Sequence, residues 1–180
     1  MSELPHIGLE VARHVLVEYF DYQCPACQTM SGFISALVAK HPSDVCVIVL
    51  PVPLDGGCNR SMDPQEPGHP GSCEYARLAL GVWKFHPIAF AEFHEKALKG
   101  ASWAEARALA EKLIPRDKLD EALADPWIDE LVQANIADWI VFAGETKKLL
   151  KLLITGKRIL HGLPSGEADF IRVMEEELGL

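Results

Sequence analysis

The chain has 180 residues, of which 49% are hydrophobic and 24% charged, as expected for one globular domain that buries a full core. Its 17 lysines and arginines against 26 aspartates and glutamates give a net charge of −9, which argues against binding to nucleic acid phosphates. No uncharged apolar run is long enough to cross a bilayer. Met1–Leu16 lacks the basic start, apolar centre and cleavage site of a signal peptide, so we expect any export signal or membrane anchor outside these residues.

A strand, a helix and a second strand are predicted in the N-terminal part of the chain. Val15–Phe20 is β-branched and aromatic, which is typical of a buried strand. Pro25–His41 carries apolar residues at spacings of three and four, which predicts a helix that Pro42 ends. Val45–Leu50 is again apolar and β-branched. Together they predict a βαβ unit with a right-handed crossover.

A long loop and a helical stretch are predicted next. Pro51–Gly71 holds five of the 12 prolines and four of the 13 glycines, so it is expected to be a loop. Caps, prolines and apolar spacing then predict five helices, the first capped by Ser72 and the third opened by a capping box at Ser102. We therefore predict a helical insertion over residues 72–143 within one domain spanning residues 1–180.

The C-terminal part returns to β-structure. Leu150–Ile154 and Arg158–Leu160 are predicted as short strands joined by a turn at 155–157. Ser165 is predicted to cap a last helix that ends near Leu178. The predicted α/β order is therefore βαβ, a helical insertion and ββα.

The motif with the clearest chemistry is a CxxC sequence at Cys24–Cys27, where the first strand gives way to the first helix. Unpaired N–H groups at a helix start favour negative charge, so they would stabilise a thiolate on Cys24. Cys27 lies one turn into the helix and could resolve a mixed disulfide. The alternative is half of a zinc site, but Cys58 and Cys73 are too far apart in sequence to form a second close pair.

This motif and the order of elements resemble a known family. Phe20–Cys27 (FDYQCPAC), with βαβ before and ββα after a helical insertion, resembles the DsbA-like branch of the thioredoxin superfamily. A closer likeness is to thioredoxin-like domains associated with bacterial vitamin K epoxide reductase homologues. That likeness rests on the segments Leu50–Asp55, Cys58–Asn59 and Gly71–Glu74.

The resemblance implies a thioredoxin fold with an inserted helical subdomain. It also implies disulfide exchange with protein substrates in the periplasm or another extracytoplasmic space, without a cofactor. A membrane quinone reductase similar to vitamin K epoxide reductase would be the redox partner.

The resemblance also assigns roles within the CxxC motif. It implies that Cys24 is the exposed, attacking thiol and Cys27 the buried, resolving one. Pro25 and Ala26 differ from the Pro-His pair of strongly oxidising DsbA. Because this dipeptide has no imidazole to favour the thiolate, we expect a less depressed pKa for Cys24 and a more reducing couple than in DsbA.

An acidic residue on the first predicted strand is a further candidate for the site. Family members often keep a buried acid at the position of Glu18, which could relay a proton to or from Cys27. The alternative is a solvated carboxylate at the strand end. Asp21 is the competing acid nearer to the motif.

The three remaining cysteines have different expected roles. Cys58 and Cys73 bracket the long loop, so a disulfide between them would close it and would persist in an oxidising compartment. The alternative is a second redox pair that exchanges with Cys24 and Cys27. Cys46 lies inside an apolar strand and is expected to be an inert core thiol.

The seven histidines are scattered without paired ligand spacing. We therefore assign them to packing or to the surface and expect no metal site.

One position departs from the family pattern. Thioredoxin-fold oxidoreductases carry a cis-proline before the third core strand, and alignment places Leu150 there, with Leu149 and Leu150 expected to contact substrate. A cis bond before leucine is unfavourable, so we expect the Leu149–Leu150 bond to be trans. This departure leaves an alternative function, a thioredoxin-fold module that binds substrate but turns it over poorly.

Overall fold

The protein is an α/β structure, seen here in a computed structural model that describes residues 4–63, 68–143, 149, 151–154, 156 and 158–180. The strands within these ranges are β1 (His6–Gly8), β2 (His14–Phe20), β3 (Val45–Pro51), β4 (Lys151–Ile154) and β5 (Arg158–His161). The helices are α1 (Pro25–Lys40), α2 (Ser72–Phe85), α3 (Pro87–Leu98), α4 (Trp103–Leu113), α5 (Arg116–Leu123), α6 (Pro126–Ala143) and α7 (Glu167–Leu178).

The strands form one mixed sheet in the order β1-β3-β2-β4-β5. β2 and β3 are parallel and are joined through α1, which confirms the predicted βαβ unit. β4 pairs antiparallel with both β2 and β5, which gives the predicted ββα end. The three-residue edge strand β1, antiparallel to β3, was not predicted because so short a segment shows no periodicity.

Helices cover both faces of the sheet. Alternate residues of β3 point to opposite faces and so pack against different helices. Val47 and Val49 lie in a core formed with α1, α3 and α7. Ile48 and Leu50 lie in a second core formed with α2 and α6. All seven residues of β3 are buried, in agreement with the apolar run in the sequence.

The five helices predicted between β3 and β4 are present as α2 to α6. The predicted capping box is formed, since the Ser102 hydroxyl accepts from the Glu105 amide and the Glu105 carboxylate accepts from the Ser102 amide. Two predicted caps are shifted, because Gly71 and Gly166 occupy the N-cap positions of α2 and α7. Ser72 is instead the first residue of α2, with its side chain buried.

Candidate active site

The CxxC motif lies where β2 ends and α1 begins. Cys24 is the N-cap residue of α1, and Pro25 is the first helical residue. The Cys24 Sγ atom accepts a hydrogen bond of 3.4 Å from the backbone amide of Cys27. The backbone carbonyl of Asp21 accepts a hydrogen bond of 3.1 Å from the Cys24 amide and closes the turn before the helix. A sulfur at an N-cap therefore faces amides that have no partner within the helix.

The two thiols of the motif have opposite environments. Cys24 is half-buried, whereas Cys27 is completely buried. A hydrogen bond from the Cys27 thiol, together with the backbone amides of Cys27 and Ala26, lowers the pKa of Cys24 to about 6 against the opposing effect of burial. The pKa of Cys27 is raised because its thiol donates to Cys24 and because it is buried. Cys24 is therefore poised as a thiolate while Cys27 keeps its proton.

Glu18 lies on the same face of β2 as Leu16 and Phe20, because alternate residues of a strand share a face. Leu16 and Phe20 belong to the core that includes Cys27. Glu18 is 1% exposed, and neither of its carboxylate oxygens has a hydrogen-bond partner among the described residues. Burial, followed by the charge of Cys24, raises the pKa of Glu18 to about 8. The charge of Glu18 also contributes to raising the pKa of Cys27. The structure thus places Glu18 in the protein interior, where its carboxyl group can hold or release a proton near neutral pH.

A second acid and a histidine complete the site. The Asp21 carboxylate is fully buried and accepts hydrogen bonds of 2.6 Å from the backbone amides of Gln23 and Leu54. The Nδ1 atom of His69 lies 3.2 Å from the Asp21 Oδ2 atom. The charge of His69 is among the causes that lower the pKa of Cys24.

One of the seven histidines assigned to packing or the surface, His69, lies in contact with the turn before the CxxC motif. His69 lies in the long loop, far from Cys24 in sequence, and no spacing pattern connects the two. The sequence carries only an indirect signal, which is an acid close to the motif, Asp21, and a long loop that contains His69. The structure supplies an imidazole to the site from the loop, although the Pro25–Ala26 dipeptide has none.

The two ends of the loop lie against each other. The His69 amide donates a hydrogen bond of 2.6 Å to the Leu54 carbonyl, and the Gly71 amide donates one of 2.6 Å to the Asp55 carboxylate. Cys58 and Cys73 are joined by a disulfide, with an S–S distance of 2.13 Å and a Cα–Cα distance of 6.0 Å. The bond ties the loop to the first turn of α2.

The other predicted positions lie in different surroundings. Leu149 is half-buried and packs against the cores on both sides of the sheet. Leu150, together with the predicted trans bond before it, lies outside the described residues. Cys46 is a free thiol that is completely buried in β3, and burial raises its pKa.

A pocket of about 540 Å³ opens beside the motif. It is lined by aromatic and amide side chains that include Tyr22, Gln23, Gln28, Tyr75 and Trp103. The rings of Tyr75 and Trp103 meet edge to face at 5.5 Å, and Trp103 remains 43% exposed. Gln23, which directly precedes Cys24 in the chain, forms part of the pocket wall.

The described ranges contain neither a metal-ligand cluster nor a membrane-spanning helix. No group of three or more histidine, cysteine, aspartate or glutamate side chains there could hold a metal ion. No described helix is both long and apolar enough to span a membrane.

Known proteins share this architecture. A family model described as Thioredoxin matches residues 2–140. The catalytic domain of ScsC from Proteus mirabilis superposes with a TM-score of 0.74 at 22% identity, over 100% of this chain and 92% of that one. The thiol-disulfide exchange protein α-DsbA2 from Wolbachia pipientis gives a TM-score of 0.76 at 19% identity, over 98% and 86%.

A periplasmic thioredoxin-like protein from Salmonella enterica serovar Typhimurium gives a TM-score of 0.70 at 23% identity, over 100% of this chain and 92% of that one. No curated protein matches the sequence significantly. The structural matches extend over nearly the whole chain and confirm the predicted α/β thioredoxin fold with a helical insertion.

Proposed function

The chain belongs to the thioredoxin family, and on that premise we propose that it is a thiol-disulfide oxidoreductase acting through Cys24 and Cys27. The observation that carries the proposal is the contrast between these two thiols. Cys24 is accessible, with a pKa lowered to about 6, whereas Cys27 is buried with a raised pKa. Such a pair separates an attacking thiolate from a resolving thiol.

The reaction proceeds through a mixed disulfide. The Cys24 thiolate attacks one sulfur of a substrate disulfide, forms a new S–S bond and releases the other substrate sulfur as a thiolate. Cys27 then loses its proton and attacks Cys24 Sγ, which releases the second substrate sulfur. Two electrons pass to the substrate, whose two thiolates take up one proton that originates from Cys27 and one from solvent, and Cys24–Cys27 becomes a disulfide. The reverse sequence oxidises a substrate dithiol.

Glu18 is proposed as the group that exchanges a proton with Cys27. The resolving thiol is buried, so its proton cannot pass directly to bulk water. Glu18 is also buried and its charge contributes to the raised pKa of Cys27, while its own pKa of about 8 allows the carboxyl group to be present in both protonation states near neutral pH. This role depends on the electrostatic coupling of the two groups, since the charge of Glu18 is among the causes that raise the pKa of Cys27.

The substrates are proposed to be proteins in the periplasm or another extracytoplasmic space. Likeness to a thiol-disulfide exchange protein and to a periplasmic thioredoxin-like protein supports this proposal. A disulfide at Cys58–Cys73 is also in keeping with an oxidising compartment. The sequence likeness to domains associated with bacterial vitamin K epoxide reductase homologues supports a membrane quinone reductase of that kind as partner.

The pocket beside Gln23 is proposed to receive side chains next to the substrate's disulfide. Its aromatic walls, Tyr75 and Trp103, offer apolar area with fixed geometry. A polypeptide whose disulfide reaches Cys24 must pass across the adjoining surface. The pocket would therefore contribute to substrate binding rather than to the chemistry of the thiols.

The test is reduction of a peptide disulfide and oxidation of a peptide dithiol by the purified protein. We expect exchange by the wild type and its loss in Cys24→Ala. Cys46→Ala is the matched control, because it removes a free cysteine outside the site and should retain exchange. Equal activity of wild type and Cys24→Ala would contradict the proposed function.

A second candidate function follows from Leu150, which stands at the position of the family's cis-proline. A leucine there favours a binding module that holds substrate but exchanges slowly. Leu150→Pro distinguishes the two functions, because a large gain in exchange rate would favour the slow binding module. An unchanged rate would favour a competent oxidoreductase.

A further inference from the structure

We propose that His69 is a positioning residue of the CxxC site, whose imidazolium is held by Asp21 and stabilises the Cys24 thiolate from the loop. The inference rests on the proposed function, since it concerns the same thiol. It assigns to a loop residue the cationic role for which the Pro25–Ala26 dipeptide has no side chain.

The first support is that Asp21 contacts both the histidine and the cysteine. The Asp21 Oδ2 atom lies 3.2 Å from His69 Nδ1, and the Asp21 backbone carbonyl accepts a hydrogen bond from the Cys24 amide. The Asp21 side chain is fully buried, while the His69 side chain is 24% exposed. A buried carboxylate that faces an imidazole favours its protonated form.

The second support is that the loop holds His69 on both sides. Its own amide donates to the Leu54 carbonyl at 2.6 Å. The following residue, Pro70, accepts a hydrogen bond of 3.0 Å from the side-chain amide of Gln23. Gln23 and Leu54 also donate their backbone amides to the Asp21 carboxylate. The histidine is thus attached to the same turn that carries Cys24.

Two charged groups act on His69 from adjoining segments. Asp21 belongs to the turn after β2, and Cys24 is the N-cap residue of α1. Asp55, in the opposite limb of the loop, accepts hydrogen bonds from the amides of Gly57 and Gly71. Asp21 and Cys24 are the groups whose interactions raise the pKa of His69.

The charged forms of His69 and Cys24 are populated over a shared pH range. The contact with the Asp21 carboxylate raises the pKa of His69 above its ordinary value of 6.5, and the pKa of Cys24 is lowered to about 6. Between about pH 6 and 6.5, the imidazolium and the thiolate are therefore both the major forms. The Cys27 thiol and the helix amides supply larger effects, so removal of His69 should weaken the thiolate without abolishing it.

The test compares His69→Gln, which cannot carry a charge, with His69→Lys, which keeps one. His86→Gln is the matched control, because His86 lies between α2 and α3 in the insertion and has no role at the CxxC site. Each protein is prepared with Cys24 and Cys27 reduced and Cys58–Cys73 intact. The readouts are the ultraviolet absorbance of the thiolate against pH and the rate of iodoacetamide labelling, mapped to Cys24 by mass spectrometry.

We expect His69→Gln to raise the pH midpoint of Cys24 and to slow its labelling severalfold at about pH 5 to 6, where the thiolate is the minor form. The equilibrium with glutathione should also move toward the Cys24–Cys27 disulfide, because the reduced form loses a stabilising charge. His69→Lys should restore the low midpoint, and His86→Gln should leave it unchanged.

Two outcomes would overturn the inference. An unchanged Cys24 midpoint in folded His69→Gln would show that the histidine has no influence on the thiolate. Equal upward shifts in His69→Gln and His69→Lys would show that loop geometry, not charge, is responsible. These titrations need no substrate, so they are independent of the exchange assay. Wild-type protein without exchange activity would contradict the proposed function but not this charge coupling.

Discussion

The Asp21 carboxylate accepts a hydrogen bond of 2.6 Å from the backbone amide of Leu54, so the turn before the CxxC motif is joined directly to the long loop. Leu54 in turn accepts a hydrogen bond from the amide of His69. The loop is therefore part of the active-site framework. Any change that loosens its ends should be measurable at Cys24.

Removal of the Cys58–Cys73 disulfide tests that connection. The two residues are 15 apart, and closing a loop of this size contributes about 3 kcal/mol in the chain-entropy account. We expect the Cys58→Ser/Cys73→Ser double variant to unfold at lower urea concentration. Its Cys24 thiol should also label more slowly at mildly acidic pH, because His69 is held less firmly beside Asp21.

The same disulfide should resist mild reduction in the wild type. Titration with a weak thiol reductant, followed by non-reducing peptide mapping, should show Cys24–Cys27 opening first, since its reduced form is stabilised by the Cys24 thiolate. Earlier opening of Cys58–Cys73 would instead identify a second redox pair. A double variant with unchanged stability would argue against a role for the disulfide in closing the loop.

Cys24 is expected to react first among the free thiols. Its pKa is lowered to about 6, chiefly by the hydrogen bond from Cys27, whereas burial and the contact with Cys24 raise that of Cys27. Iodoacetamide labelling of the reduced protein across a pH series should therefore modify Cys24 with a midpoint near this value. Cys46, buried in β3, should label only after unfolding. Preferential labelling of Cys27 would reverse the assigned roles.

Replacement of Glu18 by glutamine should stabilise the protein relative to wild type as pH rises. The folded-state pKa of Glu18 is raised from 4.5 to about 8, so the folded protein holds a proton that the unfolded chain releases. Stability from the neutral carboxyl group is fully present below pH 4.5 and is lost as pH rises toward 8. Glu18→Gln should therefore become more stable relative to wild type as pH rises, by up to a few kcal/mol.

Urea unfolding at several pH values measures this difference, with the exposed Glu130→Gln as control. The depressed pKa of Cys24 acts with the opposite sign, but both proteins contain Cys24, so its contribution largely cancels in the comparison. If Glu18 is the proton carrier, Glu18→Gln should also slow the resolution of the mixed disulfide. A stability difference that is constant with pH would contradict the buried, neutral carboxyl group.

The sequence predicted the sheet, the helices and the CxxC position well, because each produces a local signal. Buried strands are continuous apolar runs, and the capping box at Ser102 and the proline at Pro87 mark helix starts. The edge strand β1 has three residues and gave no comparable pattern. Helix ends shifted by one residue where Gly71 replaced Ser72 as the cap.

Contacts between distant segments could not be predicted in the same way. His94 and His69 look alike in the sequence, since neither has a spaced partner. His94 packs against Phe20 and Phe90 in the core, where burial lowers its pKa to about 3. His69 instead meets Asp21 because the loop folds back on itself. Its contact with Asp21 depends on tertiary structure rather than on a motif.

Trp103 offers the last test, because it lines the pocket but belongs to α4 rather than to the CxxC turn. Its side chain is partly exposed, packs edge to face on Tyr75 and begins α4 beside the Ser102 cap. Trp103→Ala should therefore remove apolar contact area from a bound peptide while leaving the Cys24 thiolate intact. We expect a KM for a peptide disulfide severalfold higher, with an unchanged pH profile for Cys24 labelling.

Ile88→Ala is the matched control, since it removes an exposed apolar side chain from α3 outside this pocket. It should leave both KM and labelling unchanged. Loss of exchange in Trp103→Ala through kcat alone, or an equal rise in KM in Ile88→Ala, would contradict the assignment of the pocket to substrate binding. A small disulfide without flanking residues should be reduced equally by wild type and Trp103→Ala, because it makes no contact with the pocket.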